Sequence, residues 1–583
     1  MGTGRPEVAQ QIAQTLIEGF DKHYWLFRET SAQAKERFQS ADWPGAQQAV
    51  RERISFYDER VRECVARLQD QLGADTLDDE AWQQAKLLYI GLLVDHKQPE
   101  LAETFFNSVV TRILNRTYRH NDFIFVRSAT STEYIESDPP IYRSYYPEEG
   151  ELQSTFVEVL RAAGWSRPFA DLERDVGFVM RALLEHLGGE WPVQEPNFQV
   201  QVVSSPFYRN KAAFVIGRIV NGHSDTPFVI PVLHDEEGRL VLDTVLLDPE
   251  EISILFSLSR AYFMAEMDVP SGTVEFLQAM MPTKARSELY TAVGLGKQGK
   301  TLFYRDLRQH LYHSRDPFVV APGTPGQVMH VFNLASYPYV FKVIRDVFGP
   351  TKTTDRETVK RKFLMVKEVD RVGRMADALE FTELALPLER FASELLEELH
   401  ELAPSVIEIE GESLVLHHCY VERRLTPLNL YLETASDEEL ESAVLEYGNA
   451  LRELAIANVF PGDLLWRNFG LTRYGRVVFY DYDEVEYLTD CTFRDIPPPP
   501  TPEAEWADEP WYPVGRSDVF PEEFETFLLG SPKVREAFFR HHADLLRPAF
   551  WRACQQRVAE GEIFDFFPYP DETRFSERYA EAA

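Results

Sequence analysis

One stretch near the C-terminus, residues 460–484, constrains the fold of this chain more than any other. Asp463 and Asn468 are separated there by four residues, in the pattern D-x-x-x-x-N. An apolar run, Arg476–Tyr480, follows and leads into Asp481. The interval between Asn468 and Asp481 is long enough for one short β-hairpin. The sequence therefore predicts two turns, joined by a hairpin, that bring two carboxylates and an amide to one point.

These three side chains suit the transfer of a phosphoryl group. That reaction needs a carboxylate beside the accepting hydroxyl and oxygen ligands that hold magnesium against the phosphates. In this interpretation Asp463 orients the hydroxyl, while Asn468 and Asp481 bind the metal ion. The spacing resembles that of the catalytic loop and metal-binding motif of protein kinases. Because Gly-Asp and Asp-Tyr-Asp are also ordinary turn sequences, the spacing needs support from elsewhere in the chain.

An upstream segment predicts a nucleotide-binding hairpin. Two apolar runs flank the turn 321–327, which contains Gly323 and Gly326. Glycines allow backbone N–H groups to approach phosphate oxygens closely. The next apolar run, Tyr339–Ile344, contains a single charged residue, Lys342, at the place where a kinase lysine pairs with phosphate. The alternative for Lys342 is a charged residue on the exposed face of an edge strand.

The elements between these segments agree with that arrangement. Helical periodicity over residues 438–458 predicts a helix that ends just before Asp463. Residues 412–422 predict a strand. The His-His-Cys cluster at 417–419 lies inside that strand, where neighbouring side chains point to opposite faces, so a plain strand explains it better than a metal site.

The carboxylate that pairs with Lys342 stays open at this stage. Glu357 and Glu368 both lie on a predicted helix, residues 355–370, and the sequence does not choose between them.

Several longer strings resemble the isocitrate dehydrogenase kinase/phosphatase family, and the resemblance extends over essentially the whole chain. The strings lie at 203–212, 339–346, 370–377, 460–484 and 493–499. The resemblance implies a bacterial cytoplasmic enzyme that phosphorylates a serine of isocitrate dehydrogenase and removes the phosphate again. It also implies an ATPase activity, one shared site for ATP or ADP with Mg²⁺ or Mn²⁺, AMP as an allosteric effector, and control of flux between the citric acid cycle and the glyoxylate bypass.

The same resemblance implies roles for particular residues. Lys342 would bind ATP together with the loop residues Ala321, Pro322, Gly323, Thr324, Pro325, Gly326 and Gln327. Asp377 corresponds to an active-site position and is expected to be catalytic, beside Asp463. Asp483 corresponds to a carboxylate that the family uses for dephosphorylation. Asn468 and Asp481 keep the metal-binding roles argued above.

With the family resemblance, the pattern predicts an α+β protein of two domains divided near residue 315. Residues 1–314 are expected to form a mainly helical regulatory domain with a strand-rich block at about 198–247. Residues 315–583 are expected to form a bilobal, protein-kinase-like catalytic domain. Helices are predicted within 8–27, 47–72, 80–94, 100–114, 249–313 and 521–560.

A competing nucleotide motif occurs at residues 294–301, which satisfy the Walker pattern G-x-x-x-x-G-K-[ST] in full. That motif binds phosphate only between a buried strand and a helix. Here the preceding residues, 284–293, are charged and predict a helix. A basic loop near the domain junction is therefore the favoured interpretation.

The composition excludes several classes of protein. The formal net charge of −34 gives no electrostatic support for binding a nucleic-acid backbone. The cysteines lack the spacing of metal or disulfide sites, which suits a reducing cytoplasm. The N-terminus, residues 1–7, has no apolar signal core, and no apolar run reaches the length of a membrane span. We therefore expect neither nucleic acid nor membrane as a partner, while a homodimer stays open.

Three functions from different classes remain open from the residues. They are a reversible protein kinase and phosphatase, a kinase-fold enzyme that phosphorylates a small molecule, and a catalytically inactive kinase-fold scaffold. Lys342, Asp463, Asn468 and Asp481 are all present, which argues against the inactive scaffold. A survey of phosphate acceptors would separate the first two functions.

Overall fold

The computed structural model describes residues 5–114, 123–257, 262–323, 325–349, 352, 354–501, 511–564 and 566–580. The chain forms two compact units. The first consists of Met1–Ser314 together with Phe567–Ala583, and the second of Arg315–Phe566.

Helices dominate the first unit. Their bounds are α1 (Arg5–Ala32), α2 (Ala34–Ser40), α3 (Trp43–Leu72), α4 (Asp79–Leu93), α5 (Pro99–Leu114), α6 (Leu152–Ala162), α7 (Leu172–His186), α8 (Pro249–Leu255), α9 (Pro270–Met280), α10 (Arg286–Ala292), α11 (Gly296–His313) and α19 (Phe575–Arg578). Aspartates determine where two of these helices begin. Asp42 and Asp78 cap α3 and α4, because each side chain accepts a 3.0 Å hydrogen bond from a backbone N–H in the first turn. The predicted N-terminal helices are confirmed.

The first unit also contains an antiparallel sheet, and all of its strands except β1 lie between α7 and α8, where the strand-rich block was predicted. Its strands are β1 (Tyr142–Tyr145), β2 (Gln199–Val203), β3 (Phe207–Arg209), β4 (Ala212–Asn221), β5 (Ser224–His234) and β6 (Leu240–Leu242). They pair in the order β1-β2-β4-β5-β6, and β3 pairs with β4. Strand β5 is buried on both faces from Pro227 to Leu233, which explains its nearly continuous apolar sequence.

The C-terminal segment 567–583 belongs to the first unit, which corrects the expectation that 315–583 form one domain. The buried carboxylate of Asp243 holds this segment by accepting hydrogen bonds from Tyr569 Oη at 2.7 Å and Arg574 Nε at 3.0 Å. Both contacts join residues more than 300 positions apart, so sequence patterns give no sign of them.

The Walker-like residues 294–301 do not form a phosphate-binding loop. Helix α10 precedes them, as the charged sequence predicted, and α11 begins at Gly296 within the motif. The hydroxyl of Thr301 donates to the carbonyl oxygen of Lys297 inside this helix. The motif therefore lacks the strand that a P-loop requires. The basic-loop interpretation is also wrong for residues 296–301, because they form the first turns of α11.

The second unit begins with an antiparallel β-sheet and two helices. Its elements are β7 (Phe318–Val320), β8 (Met329–Leu334), β9 (Tyr339–Ile344), α12 (Arg356–Val369), β10 (Ala378–Pro387), α13 (Ser393–Leu402), β11 (Ile407–Glu410) and β12 (Ser413–Arg423). The strands pair in the order β10-β12-β9-β8-β7, with β11 beside β12, and every pair is antiparallel. The predicted hairpin and the strand that carries Lys342 are confirmed.

The remainder of the second unit is mainly helical. Its elements are β13 (Thr426–Pro427), α14 (Leu428–Thr434), α15 (Asp437–Ile456), β14 (Val459–Phe460), β15 (Phe469–Leu471), β16 (Val477–Phe479), β17 (Glu486–Tyr487), β18 (Thr492–Phe493), β19 (Asp518–Val519), α16 (Phe524–Leu528), α17 (Pro532–His542) and α18 (Pro548–Ala559). Ser436 and Glu439 form a capping box at the start of α15. The apolar face of α15 packs into a core with Trp551 and Phe538.

Candidate active site

The loop after α15, which carries the D-x-x-x-x-N pattern, is held by internal hydrogen bonds. Asp463 is partly exposed, and its Oδ1 accepts a 3.0 Å hydrogen bond from the backbone N–H of Leu465. The buried Asn468 turns back, and its Nδ2 donates to the carbonyl oxygen of Asp463 at 3.3 Å. From α15, the hydroxyl of Tyr447 donates to the carbonyl oxygen of Leu464 at 2.6 Å. The two ends of the D-x-x-x-x-N pattern are therefore fixed to each other.

A hairpin joins this loop to Asp481, as the sequence predicted. Strands β15 and β16 pair antiparallel, with Phe469 opposite Phe479. The next residue, Tyr480, donates its backbone N–H to the carbonyl oxygen of Asn468 at 3.1 Å. Because Asp481 follows Tyr480 directly, the hairpin brings Asp481 beside the catalytic loop.

The turn after Asp481 also packs against the beginning of the catalytic loop. Strands β14 and β17 pair with Phe460 opposite Glu486. Gly462 adopts a φ of +79°, and a Cβ at this position would lie 2.2 Å from the carbonyl oxygen of Glu484. Such a close approach requires glycine. Asp463 and Asp483 therefore lie on adjacent segments.

Lys342, on β9 of the sheet, contacts the residue that precedes Asp481. Its Nζ donates a 2.9 Å hydrogen bond to the carbonyl oxygen of Tyr480 and lies 5.1 Å from the centre of the Tyr480 ring. It also forms a 2.6 Å ion pair with Glu422 on β12, and both side chains are buried. Hydrogen bonds thus connect Lys342 through Tyr480 and Asn468 to Asp463. The alternative of a solvated lysine on an edge strand is wrong.

Glu422, rather than Glu357 or Glu368, is therefore the carboxylate partner of Lys342. Glu357 is largely exposed and pairs with Lys360 on the same helix. Glu368 is also exposed. The pairing of β12 with β9 sets Glu422 opposite Val340, two residues from Lys342 on the neighbouring strand.

Asp377 enters the site through the segment that precedes β10. Backbone hydrogen bonds run from Ala376 N to Phe479 O at 2.9 Å and from Phe479 N to Arg374 O at 2.7 Å. The hydroxyl of Tyr482 donates to Ala376 O at 2.6 Å. Asp377, which is partly buried, follows Ala376 directly and therefore lies near the end of β16.

A buried arginine fixes that segment. Arg374 forms ion pairs with Glu453 at 2.6 Å and Glu446 at 2.7 Å, and it also donates to the carbonyl oxygen of Val477. Burial opposes the charge of Arg374, but the two glutamates outweigh burial and raise its pKa. Local sequence patterns do not indicate this network, because its members come from three separate elements.

Asp481 and Asp483 form a coupled carboxyl pair. Burial and the nearby charge of Asp483 raise the pKa of Asp481 to about 8, and a side-chain hydrogen bond joins the two groups. Burial also opposes ionisation of Asp483, but the bond from Asp481 and the ammonium of Lys352 outweigh it and lower the pKa of Asp483. Each of two carboxyl groups this close opposes ionisation of the other, so a second negative charge here needs a compensating cation.

The donor set fits a magnesium ion in a phosphoryl-transfer site. Asp481 offers a carboxylate and the buried Asn468 offers an amide oxygen, both of which suit a hard cation. Within the ranges that the structure covers, no three His, Cys, Asp or Glu residues are grouped to hold a metal by themselves. Magnesium in such sites uses only one or two protein oxygens and takes the rest from phosphates and water. The strand cluster 417–419 is confirmed as part of β12.

The glycine loop joins β7 to β8 and is exposed in the residues that are described. Ala321 and Gln327 anchor its ends: Ala321 N donates to Val331 O at 2.9 Å, and Gly349 N donates to Gln327 O at 3.0 Å. Gly323 has a φ of +127°, which L-residues avoid. Pro322, Pro325 and Gly326 lie between these anchors, whereas Thr324 lies outside the described residues.

Comparisons with known proteins agree along the whole chain. A sequence profile described as "Isocitrate dehydrogenase kinase/phosphatase (AceK), regulatory domain" matches residues 13–315, and the corresponding kinase-domain profile matches residues 316–571. A protein of Azoarcus sp. (strain BH72) named isocitrate dehydrogenase kinase/phosphatase is 63% identical, over 98% of this chain and 97% of its own length. Proteins of that name from Aromatoleum aromaticum (strain DSM 19018 / LMG 30748 / EbN1) and Dechloromonas aromatica (strain RCB) are 61% and 59% identical over the same shares.

Proposed function

This chain belongs to the isocitrate dehydrogenase kinase/phosphatase family, and we propose that a single site carries out both of the activities that define the family. The enzyme is a protein serine kinase and a phosphoprotein phosphatase, and its protein substrate is isocitrate dehydrogenase. The observation that supports one site is the run of hydrogen bonds from Lys342 through Tyr480 and Asn468 to Asp463.

For phosphorylation, Asp463 accepts a hydrogen bond from the substrate serine and aligns its oxygen with the γ-phosphorus. Lys342 and the backbone of the loop Ala321–Gln327 bind the phosphates of ATP. Asn468 and Asp481 would hold magnesium, which supplies positive charge against the phosphate oxygens when bound. Asp377 stands at the same end of β16 and contributes a further carboxylate to the site.

For dephosphorylation, Asp483 positions a water molecule. The water oxygen forms a bond to phosphorus while the bond between phosphorus and the serine oxygen breaks. The proton of the water reaches the serine oxygen by way of the carboxylate, so the products are a free serine and inorganic phosphate. Return of the phosphoryl group to ADP uses the same alignment in reverse.

We also propose how the enzyme is regulated and where it acts. AMP and other metabolites act as effectors through the first unit, and the enzyme controls flux between the citric acid cycle and the glyoxylate bypass in the cytoplasm. All four cysteines, Cys64, Cys419, Cys491 and Cys554, are free thiols, which supports a reducing compartment. Among the helices of the described residues, none is long and apolar enough to cross a bilayer.

The decisive experiment is incubation with labelled ATP and purified isocitrate dehydrogenase, followed by a chase with ADP. Label should enter the dehydrogenase and then leave it. Asp463→Ala should block both steps. Label that reaches only a small molecule would contradict the proposal, as would an Asp463→Ala variant with normal activity.

A further inference from the structure

Lys352 lies outside the candidate catalytic motifs and contacts one of their carboxylates directly. It lies between β9 and α12, and its Nζ is 2.9 Å from Oδ2 of Asp483. It also forms an ion pair with Glu484. The side chains of Lys352 and Asp483 are 19% and 10% exposed, so solvent screens this pair much less than an ion pair on the surface.

The ammonium of Lys352 completes the environment of the Asp483 carboxylate. On one side Asp483 bonds to Asp481, and on the other it bonds to Lys352. These two contacts determine where the carboxylate oxygens lie.

A second lysine fixes the backbone of the same turn. Lys362, on α12, donates to the carbonyl oxygen of Asp483 at 3.0 Å and forms a 3.2 Å ion pair with Glu486. The two lysines therefore hold different parts of one residue: Lys362 its peptide group and Lys352 its carboxylate.

This arrangement reverses the charge pattern of a protein kinase. There a glutamate on the corresponding helix pairs with the strand lysine. Here Lys352, just before α12, and Lys362, on α12, contact the turn after Asp481. The carboxylate that pairs with Lys342 comes from β12 instead, at Glu422.

We propose that Lys352 is a positioning residue for dephosphorylation, because it holds the Asp483 carboxylate where that group orients the attacking water. The inference rests on the proposed function, in which Asp483 acts in the phosphatase direction. Lys352 acts through Asp483 and contacts no reacting atom.

The test compares Lys352→Met, Lys352→Arg, Asp483→Asn and the Lys352→Met/Asp483→Asn double variant in the full-length protein. Release of phosphate from phosphorylated isocitrate dehydrogenase and incorporation from labelled ATP are measured for each. Lys360→Met is the matched control, since Lys360 is a lysine of α12 that pairs only with the exposed Glu357 in the contacts described. Thermal unfolding of each variant verifies the fold.

Lys352→Met should lower kcat for phosphate release about tenfold or more, in line with a misplaced catalytic group, while phosphorylation changes less than about threefold. Lys352→Arg, which keeps the cation, should recover part of the loss. In the Asp483→Asn background, Lys352→Met should cause no further loss, and Lys360→Met should resemble the unmodified enzyme.

Two results would overturn the inference: equal losses in both directions for Lys352→Met, or a further full loss in the Asp483→Asn background. If Lys352→Met does not fold, Lys352→Arg and Lys352→Gln replace it in the same comparison. Failure of the proposed function has a different signature, because Asp483→Asn alone would then reduce both directions equally.

Discussion

The ammonium of Lys342 on β9 lies 2.6 Å from the carboxylate of Glu422 on the neighbouring strand β12. This lysine is thus held from within the sheet and not from helix α12. Because the pair is buried, removal of either charge would leave the other without its ion-pair partner in an environment that water barely reaches.

Glu422→Gln should therefore raise the KM for ATP and lower kcat/KM by about 10²-fold, because the lysine is displaced from its position. Steady-state kinetics of phosphorylation measures this. Glu357→Gln and Glu368→Gln remove the same charge from α12 and should have little effect. A large loss in either of those variants with a normal Glu422→Gln would refute the assignment.

Gly323→Ala should weaken ATP binding, since a φ of +127° is strained for any residue with a Cβ. The backbone strain is about 1 to 3 kcal/mol, and relaxation of the loop would move its N–H groups. Nucleotide titration measures the change. Gly475→Ala, which introduces strain at a φ of +77° in the turn between β15 and β16, controls for a general effect on folding and should leave ATP affinity nearly unchanged. Equal effects would contradict the prediction.

The affinity for Mn²⁺ should rise with pH. Asp481 is mostly protonated in the metal-free protein at neutral pH because its pKa is raised to about 8, by burial first and then by Asp483, against the opposing charges of Lys342 and Lys352. Metal binding needs the ionised form, so a proton must leave below pH 8, and the affinity should level off above it. Calorimetry in two buffers of different ionisation enthalpy measures the released protons.

Asp483→Asn provides the control for this pH dependence. It removes the neighbouring charge, so the pKa of Asp481 should fall and the pH profile should shift to lower pH. An affinity that is constant between about pH 6 and pH 9 would contradict the role of Asp481 as a titrating ligand.

Arg374→Met should destabilise the second unit strongly, because Glu446 and Glu453 would lose their short ion pairs with this buried cation, while Glu453 would retain the longer 3.5 Å contact with Arg476. The expected cost is about 3 to 5 kcal/mol. Arg452→Met is a suitable control: Arg452 pairs with Asp544 at the surface, where the cost should be at most about 1 kcal/mol. Thermal unfolding of the full-length variants distinguishes the two. Similar decreases in unfolding temperature for both variants would show that the Arg374 network stabilises the protein no more than a surface ion pair does.

The parts of the site that follow one another in the chain were predictable from sequence. Asp463, Asn468 and Asp481 are joined by one helix end and one hairpin, and local patterns predict both. The hairpin around the glycine loop and the strand of Lys342 follow from the same kind of local signal. Local sequence patterns therefore predicted the positions of those site residues that a short stretch of chain joins.

The partners that stabilise these residues were not predictable in this way. Glu422 depends on the register between β12 and β9, which residues 80 positions apart determine together. Lys352 and Arg374 are single charged residues whose significance appears only when distant carboxylates face them. A one-residue change of register would exchange the faces of a strand without altering its apolar pattern.

Tyr480 joins the lysine to the catalytic loop through its peptide atoms, the carbonyl toward Lys342 and the N–H toward Asn468. Exchange of a side chain leaves both atoms in place, so ordinary missense changes at this position cannot sever the junction. Proline alone would remove the N–H. Most single amino-acid substitutions at this position therefore keep the connection between Lys342 and Asn468, so the side chain at position 480 can vary in evolution while the hydrogen bonds are retained.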